Sequence, residues 1–217
     1  MFEIWPSLIS ANLLELKNVI DQLDPLCEGY HLDIMDNHFV PNLTWGEAFV
    51  HAIAAHTKKR LWVHLMIDAP EKFIKKLELP KNSYVTFHLE TQSDIHSLIK
   101  EIRKKNLLPS AALNPHTPIE AVFPYIEHLE QILIMSVNPG RSGQELIPST
   151  LEKILPLIHI LKTKHREIPL AIDGGINRAN IAHIHALGIR QFGIASGIFA
   201  YPEPEKELAY LYDMIKE

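Results

Sequence analysis

Short apolar runs alternate along the chain with longer segments in which apolar residues recur at helical spacing. A polar loop separates each run from the segment that follows it. The apolar runs predict eight strands, at residues 4–8, 29–34, 61–66, 83–88, 109–113, 131–136, 170–172 and 191–195. The segments after them predict eight helices, at residues 13–22, 47–56, 70–77, 93–105, 118–127, 148–165, 177–186 and 203–216.

This strand–helix rhythm favours an α/β fold, the (β/α)8 TIM barrel. Eight units in 217 residues leave about 25 residues for each, which suits a closed barrel. An open doubly wound sheet is the competing arrangement, but it usually has fewer strands. No low-complexity stretch or Gly/Ser-rich linker divides the sequence, so we expect one barrel domain over residues 1–217.

Composition and charge narrow the choice of partners. The formal net charge is −5, whereas binding to a nucleic-acid backbone needs a basic excess, so no nucleic-acid partner is expected. No apolar run approaches the roughly 20 residues of a membrane span, and the first residues lack the basic start of a signal peptide. Cys27 is the single cysteine, which fits a reducing compartment. We therefore expect a cytoplasmic protein without a membrane partner.

Candidate chemistry lies where predicted strands end. His31 and Asp33 are two residues apart on one strand and so share a face, His64 lies on the next strand, and Asp173 follows the seventh. Any single histidine among the 13 in the chain has an ordinary structural explanation. However, an unpaired carboxylate inside a barrel costs several kcal/mol, so both aspartates need a partner. The four together predict one divalent cation, with Zn, Fe, Mn and Co all open.

Two further features of the sequence indicate functional residues less strongly. Small residues fill the loops after the last three strands, at residues 138–143, 173–175 and 195–197. Glycine lets backbone N–H groups approach an anion, and barrel enzymes commonly bind phosphate at these loops, so we expect a phosphate site there. Asp36 is a second candidate acid, although capping of its own turn explains it equally well.

Several motifs, in order along nearly the whole chain, resemble the ribulose-phosphate 3-epimerase family. PSLISA at residues 6–11 looks like the family's opening strand, and HLDIMDNHFVPN at residues 31–42 is very similar to its longest signature. The other similar motifs are HLM at residues 64–66, LNPHTP at 113–118, MSVNPG at 135–140 followed by Gly143 and Gln144, and DGG at 173–175.

The resemblance implies a homo-oligomeric barrel enzyme that binds one divalent metal through His31, Asp33, His64 and Asp173. It also implies that Asp33 and Asp173 are the acid–base pair acting on a small ketose phosphate. The substrate contacts that it implies are Ser7, Met35, His64, Met66, Met135, Gly140, Arg141, Ser142, Gly143, Gly174, Gly175, Ala195 and Ser196. The reaction expected from it is interconversion of D-ribulose 5-phosphate and D-xylulose 5-phosphate, in the pentose phosphate pathway.

Departures from the family pattern fall mostly at the phosphate end. Asn37 and Ser142 stand where glycine is usual, Arg141 replaces an apolar residue, and Ala195 replaces the glycine before Ser196. Residues 196–199, SGIF, resemble the loop of the related allulose-6-phosphate 3-epimerases. Epimerisation of D-allulose 6-phosphate is therefore the first alternative, and a non-catalytic sugar-phosphate-binding paralogue is the second.

Overall fold

The computed structural model describes residues 2–216 and confirms the barrel. Eight parallel strands form one sheet: β1 (Glu3–Pro6), β2 (Gly29–Met35), β3 (Arg60–Met66), β4 (Tyr84–His88), β5 (Leu108–Leu113), β6 (Gln131–Met135), β7 (Leu170–Asp173) and β8 (Gln191–Ile194). The α-helices are α1 (Leu16–Leu23), α2 (Glu47–His56), α3 (Pro70–Lys76), α4 (Ile95–Lys104), α5 (Ile154–Thr163), α6 (Ile181–Ala186), α7 (Ser196–Phe199) and α8 (Pro204–Ile215). The predicted domain covers residues 1–217, and its first and last residues lie outside the described range, so these bounds stay a prediction.

The barrel closes at the seam between β1 and β2. Each of the other neighbouring strands is joined by a ladder in register, and β1 itself pairs with β8. Within residues 2–216, the two strands are joined by a single parallel bridge, between Ser7 directly after β1 and His31 of β2. Two residues predicted for the site therefore also hold the barrel's seam.

Apolar packing occurs on both faces of the sheet. Between the strands and the outer helices lies a large cluster that includes Leu32, Val63 and Ile134. A smaller cluster inside the barrel contains Trp5, Trp62, Leu133 and other side chains. This two-sided burial explains why the strands read as nearly continuous apolar runs rather than as an apolar–polar alternation.

A chain of polar contacts fills the barrel interior at the end opposite the predicted site. Gln131 Nε2 donates to Gln191 Oε1 at 2.6 Å, and Gln191 Nε2 donates to Glu3 Oε2 at 2.6 Å. Glu3 in turn pairs with Arg60, 2.5 Å away, whose guanidinium lies over the Trp5 ring. Because these buried amides are hydrogen-bonded, they fill the barrel without leaving unpaired polar groups.

Two predicted helices differ from the structure because of proline. The segment 118–127 forms two 3-10 helices, Ile119–Val122 and Ile126–His128, since Pro124 between them has no N–H to continue an α-helix. The segment 148–165 begins as a 3-10 helix, and α5 starts only at Ile154. Pro156 then lies in the first turn of α5, where a missing N–H costs nothing.

Several helix ends have the residues that typically begin or end a helix. Asp94 caps α4 by accepting a hydrogen bond from His96 N, Pro70 opens α3, and Gly188 has a φ of 116° just beyond α6. Among the described residues, no helix has both the length and the apolar character required to cross a membrane.

Candidate active site

Strand register brings the four predicted ligand residues together. Asp33 on β2 lies beside His64 on β3, and Met35 lies beside Met66 one pleat further along. His31 shares the face of Asp33 because the two are two residues apart on β2. Asp173 is the last residue of β7 and lies beside Met135 of β6. The parallel strands therefore place these side chains at one end of the barrel.

The distances confirm one compact cluster. Asp33 Oδ2 lies 3.2 Å from His31 Nδ1, and Asp33 Oδ1 lies 3.2 Å from His64 Nδ1. Asp173 Oδ2 lies 3.5 Å from His64 Nδ1 and 4.0 Å from His31 Nε2. One ligand atom from each of the four residues falls within 4.8 Å of all the others.

The donor set fits a divalent cation. The Asp33 carboxylate can only accept, so His31 donates through Nδ1 and keeps its lone pair on Nε2. That Nε2 is buried and has no hydrogen-bond partner within residues 2–216, and its nearest carboxylate is that of Asp173. Two imidazoles and two carboxylates suit Zn, Fe, Mn or Co. The cluster could therefore hold a metal, and its geometry leaves the identity of that metal open.

Burial and neighbouring opposite charges shift the pKa values of this cluster in opposite directions. Burial alone would raise the pKa of Asp33, but His31 and His64 hold it well below its usual range. Burial alone would lower the pKa of His64, yet Asp173 and Asp33 raise it to about 9. A proton on His64 thus balances the two carboxylates when no cation does, and a bound cation would replace that proton at Nδ1.

Ser7 fixes the orientation of Asp33. The Ser7 hydroxyl is fully buried and donates to Asp33 Oδ2 at 2.6 Å. Ser7 itself is held by the hydrogen bond from its N–H to Ile194 O on the neighbouring strand β8. The bond from the hydroxyl stabilises the ionised carboxylate and reduces its rotational freedom.

A cleft opens over the cluster at the C-terminal end of the strands. Asp33 and Asp173 line it, whereas Ser7, His31 and His64 are buried and do not. The other predicted substrate residues all line it, namely Met35, Met66, Met135, Gly140, Arg141, Ser142, Gly143, Gly174, Gly175, Ala195 and Ser196. Seven further lining residues were not among the individually predicted contacts, although Pro139 and Gly197 belong to the predicted phosphate loops; the seven are Ile9, Val137, Pro139, Gln144, Ile176, Gly193 and Gly197.

Charge divides this cleft into two ends. Among its described lining residues, Asp33 and Asp173 are the acidic ones and Arg141 is the basic one. Arg141 belongs to the loop after β6, next to Ser142, whose hydroxyl lies 2.7 Å from that of Ser10. The cleft therefore has an anionic end that suits a cation and an end at which Arg141 suits an anion.

Glycines at the second end adopt backbone that other residues rarely adopt. Gly140, Gly143, Gly174 and Gly175 have φ angles of 123°, 77°, 115° and 66°. At Gly175 an added Cβ would lie 2.4 Å from the backbone nitrogen of Leu146, so the two loops approach one another closely. Glycine is thus required here both by conformation and by space.

The loop after β2 contains Asn37 and Asp36. Asn37 has a φ of 58°, so asparagine adopts the left-handed backbone at the position where glycine is usual in the family. Asp36 Oδ1 accepts hydrogen bonds from the backbone N–H groups of His38 and Phe39, and its Oδ2 accepts from that of Asp68. Asp36 therefore caps its turn, as its structural explanation predicts.

One buried neighbour of the cluster, His88, was missed by sequence reasoning. His88 ends β4 just as His64 lies near the end of β3, so the same strand-end signal could have found it. Its Nε2 lies 2.8 Å from His64 Nε2, and the two rings stack with centroids 5.0 Å apart.

Comparison with known proteins gives consistent relatives. The chain is 34% identical over 214 residues to the cytoplasmic isoform of ribulose-phosphate 3-epimerase from Oryza sativa subsp. japonica, covering 96% of this chain and 92% of that one. It is 30% identical over 211 residues to ribulose-phosphate 3-epimerase from Bacillus subtilis, covering 96% and 97%. The enzyme of that name from Serratia marcescens is 34% identical over 209 residues, covering 94% and 99%.

Solved structures support the fold alone. The chain superposes on 3-hexulose-6-phosphate synthase from Salmonella typhimurium with a TM-score of 0.68 at 18% identity, covering 98% of both chains. It superposes on KGPDC from Streptococcus mutans with a TM-score of 0.72 at 13% identity, covering 99% of this chain and 97% of the other.

Fold and site together define a (β/α)8 barrel protein with a buried two-histidine, two-aspartate cluster under a cleft. The ribulose-phosphate 3 epimerase family profile matches residues 3–199. The chain belongs to the ribulose-phosphate 3-epimerase family.

Proposed function

We propose that this protein is a metal-dependent epimerase that inverts C3 of a ketose phosphate and interconverts D-ribulose 5-phosphate and D-xylulose 5-phosphate. The observation that carries the proposal is the position of Asp33 and Asp173. Both carboxylates line the same cleft, both belong to the four-residue cluster, and they come from different strands. The names of the relatives support this choice of substrate.

The two aspartates match what this reaction requires. Inversion at a carbon beside a ketone removes its proton from one face, passes through an enediolate and returns a proton to the other face. One group cannot reach both faces, so two acid–base groups are needed. In our proposal Asp33 and Asp173 take these roles and exchange them when the reaction runs in reverse.

Residues around the aspartates would hold the reacting atoms in place. His31, Asp33, His64 and Asp173 would hold the cation, which supplies Lewis-acid stabilisation of the oxyanion that develops on the substrate. Met35, Met66 and Met135 line the cleft beside the carboxylates. Their apolar side chains would keep water from the enediolate and prevent its loss to side reactions.

The opposite end of the cleft suits the substrate phosphate. Arg141 offers a positive charge, and glycines in the loops after β6 and β7 let backbone N–H groups approach an anion. Gly140, Ser142, Gly143, Gly174, Gly175, Ala195 and Ser196 are the remaining phosphate contacts that we propose. A small ketose phosphate would thus lie with its carbonyl end at the cluster and its phosphate at Arg141.

Assembly and location are part of the proposal. We propose a homo-oligomer in the cytoplasm that acts in the pentose phosphate pathway. The pathway follows from the reaction, and the name of the rice relative, a cytoplasmic isoform, supports the compartment.

Exchange of the C3 proton with solvent tests the reaction. Incubation of D-ribulose 5-phosphate with the metal-loaded protein in D₂O should place deuterium at C3 of both pentulose phosphates. A non-catalytic sugar-phosphate-binding paralogue would incorporate none with any ketose phosphate, and that result would overturn the proposal.

D-allulose 6-phosphate is a second candidate substrate, favoured by the residues at the phosphate end. Arg141 and Ser142 occupy the loop after β6, and Ser196–Phe199 forms the short helix α7 beside it in the cleft. Values of kcat/KM for the two substrates under identical metal loading decide between them. A large preference for the hexulose phosphate would replace the pentulose as substrate and leave the C3 chemistry intact.

A further inference from the structure

A relay of side chains lies beside the proposed metal site, and none of its members lines the cleft. It runs from His64 through His88 to Glu90, and neither the resemblance nor the proposed reaction uses the last two residues. His64 and His88 are fully buried or nearly so, with exposed fractions of 0% and 1%. Polar groups at such burial need partners, so their contacts are informative.

Geometry fixes which ring nitrogen of His64 faces the metal site. Nδ1 lies 3.2 Å from Asp33 Oδ1 and 3.5 Å from Asp173 Oδ2, whereas Nε2 lies 2.8 Å from His88 Nε2. A cation held by the cluster would therefore take Nδ1 of His64, which leaves its proton on Nε2. Two ring nitrogens at 2.8 Å share one proton, so His64 donates and His88 Nε2 accepts.

This assignment determines the tautomer of His88. Because Nε2 accepts, the proton of a neutral His88 is on Nδ1, which lies 3.3 Å from Glu90 Oε2. The two atoms form an ion-pair contact, and neither has a hydrogen-bond partner within residues 2–216. The tautomer with its proton on Nδ1 is thus the one that presents an acceptor to His64 and an N–H to the Glu90 carboxylate.

Glu90 is itself held in place as an anion. Its Oε1 accepts hydrogen bonds from the backbone N–H of Asn114, at 2.9 Å, and from the Thr117 hydroxyl. Lys153 lies behind the same loop and donates to the carbonyl oxygens of Asn114 and Thr117 at 2.7 and 2.8 Å. The carboxylate is therefore fixed by the loop after β5, on the opposite side of His88 from the metal site.

We propose that His88 is a positioning residue for the metal site, which fixes the ring of His64 with Nδ1 toward the cation, and that Glu90 sets the tautomer that His88 needs for this. A metal-bound histidine usually donates its other N–H to such an acceptor, and losing the acceptor typically costs about 10- to 100-fold in metal affinity. This inference rests on the cation site of the proposed function.

Titration of the metal-free protein with Co²⁺ tests the relay, with the affinity measured by chelator competition and the site observed through its visible absorption. His88→Phe keeps an aromatic ring but removes the acceptor, so we expect Co²⁺ to bind about 10- to 100-fold more weakly with an altered spectrum. His88→Gln can place an amide oxygen near the position of Nε2, so it should restore most of the affinity. Glu90→Gln removes the charge behind His88 and should weaken binding by about 3- to 10-fold.

A matched control separates positioning from general loss of stability. Glu207 on the outer helix α8 is a buried glutamate paired with Arg178, so Glu207→Gln should lower thermal stability and leave Co²⁺ affinity unchanged. Wild-type affinity and spectrum in both His88→Phe and Glu90→Gln would overturn the relay while leaving the metal site intact. If His88→Phe does not fold, Glu90→Gln alone decides. Failure of the wild-type protein to bind Co²⁺ would overturn the relay together with the proposed metal site.

Discussion

Asp33 contacts three other polar side chains of the site. Its Oδ2 accepts from Ser7 and His31, and its Oδ1 lies at hydrogen-bonding distance from His64. These contacts explain why the carboxylate is anionic although only 7% of its side-chain surface is accessible. Asp173 has fewer partners and greater exposure, with 14% of its side-chain surface accessible. The two aspartates therefore differ in freedom of movement while sharing one cluster.

Asp173→Asn tests the proposed two-acid mechanism. The amide cannot accept a proton, so kcat/KM should fall by about 10²- to 10⁴-fold while the circular dichroism spectrum stays that of the wild type. Metal content is measured in parallel, because Asp173 is also a proposed ligand. Full activity with a normal metal content would contradict the assignment.

Arg141→Leu tests the phosphate end of the cleft. Loss of a charged contact to phosphate should raise KM by about 10-fold and leave kcat nearly unchanged, since the contact is made equally in ground and transition states. Arg103→Leu removes a charge from the outer helix α4 and provides the control. Equal KM values for the two variants would place the phosphate elsewhere.

At the scale of elements, strand ends were the most predictable part of the protein. All eight strands were predicted because their two-sided burial gives apolar runs, and their ends contain Asp33, His64 and Asp173. Helix α7 was not predicted, because Ser196–Phe199 is too short to show periodicity. His88 also ends a strand, but the sequence does not show that its ring contacts His64 across the strands, and its role depends on that contact.

The loop after β7 offers a test at this scale. Gly175→Ala should destabilise the fold by about 2–4 kcal/mol, because its φ of 66° strains alanine and the added Cβ would meet the Leu146 backbone. Urea unfolding measures the change. Gly46→Ala is the control, since its backbone is extended and nothing lies within 4 Å of the added Cβ, so about 1 kcal/mol is the most it should lose. Equal losses in both variants would show that the loop does not need glycine.

At the scale of the whole molecule, the two ends of the barrel have different functions. The N-terminal end holds the amides of Gln131 and Gln191 with Glu3 and Arg60, all paired with one another. The C-terminal end holds the cluster, in which His31 Nε2 lacks a partner within residues 2–216. The polar side chains at the N-terminal end thus pair with one another. Those at the C-terminal end keep an unpaired ring nitrogen and carboxylate oxygens that can bind a cation and substrate. This division is typical of (β/α)8 barrels.

Metal loading should stabilise the whole barrel and its seam most of all. A cation at 100 times its dissociation constant adds about 2.7 kcal/mol to the free energy of unfolding. The proposed ligand His31 is half of the only bridge found between β1 and β2 in residues 2–216. Hydrogen exchange should therefore slow more in β1 and β2 than in β4 and β5 when Co²⁺ replaces chelator. Equal slowing in all strands would argue against a link between site and seam.

The seam between β1 and β2 has a consequence for how the protein avoids self-association. A fully laddered barrel has no edge strands, whereas a barrel closed by one bridge has two potential edges, held together where Ser7 meets His31. If that bridge opened, backbone groups of β2 would become a template on which another chain could add a strand. The backbone pairing of Ser7 with the proposed ligand His31 thus also closes an aggregation-prone edge, so substitutions at the seam should lower solubility as well as turnover.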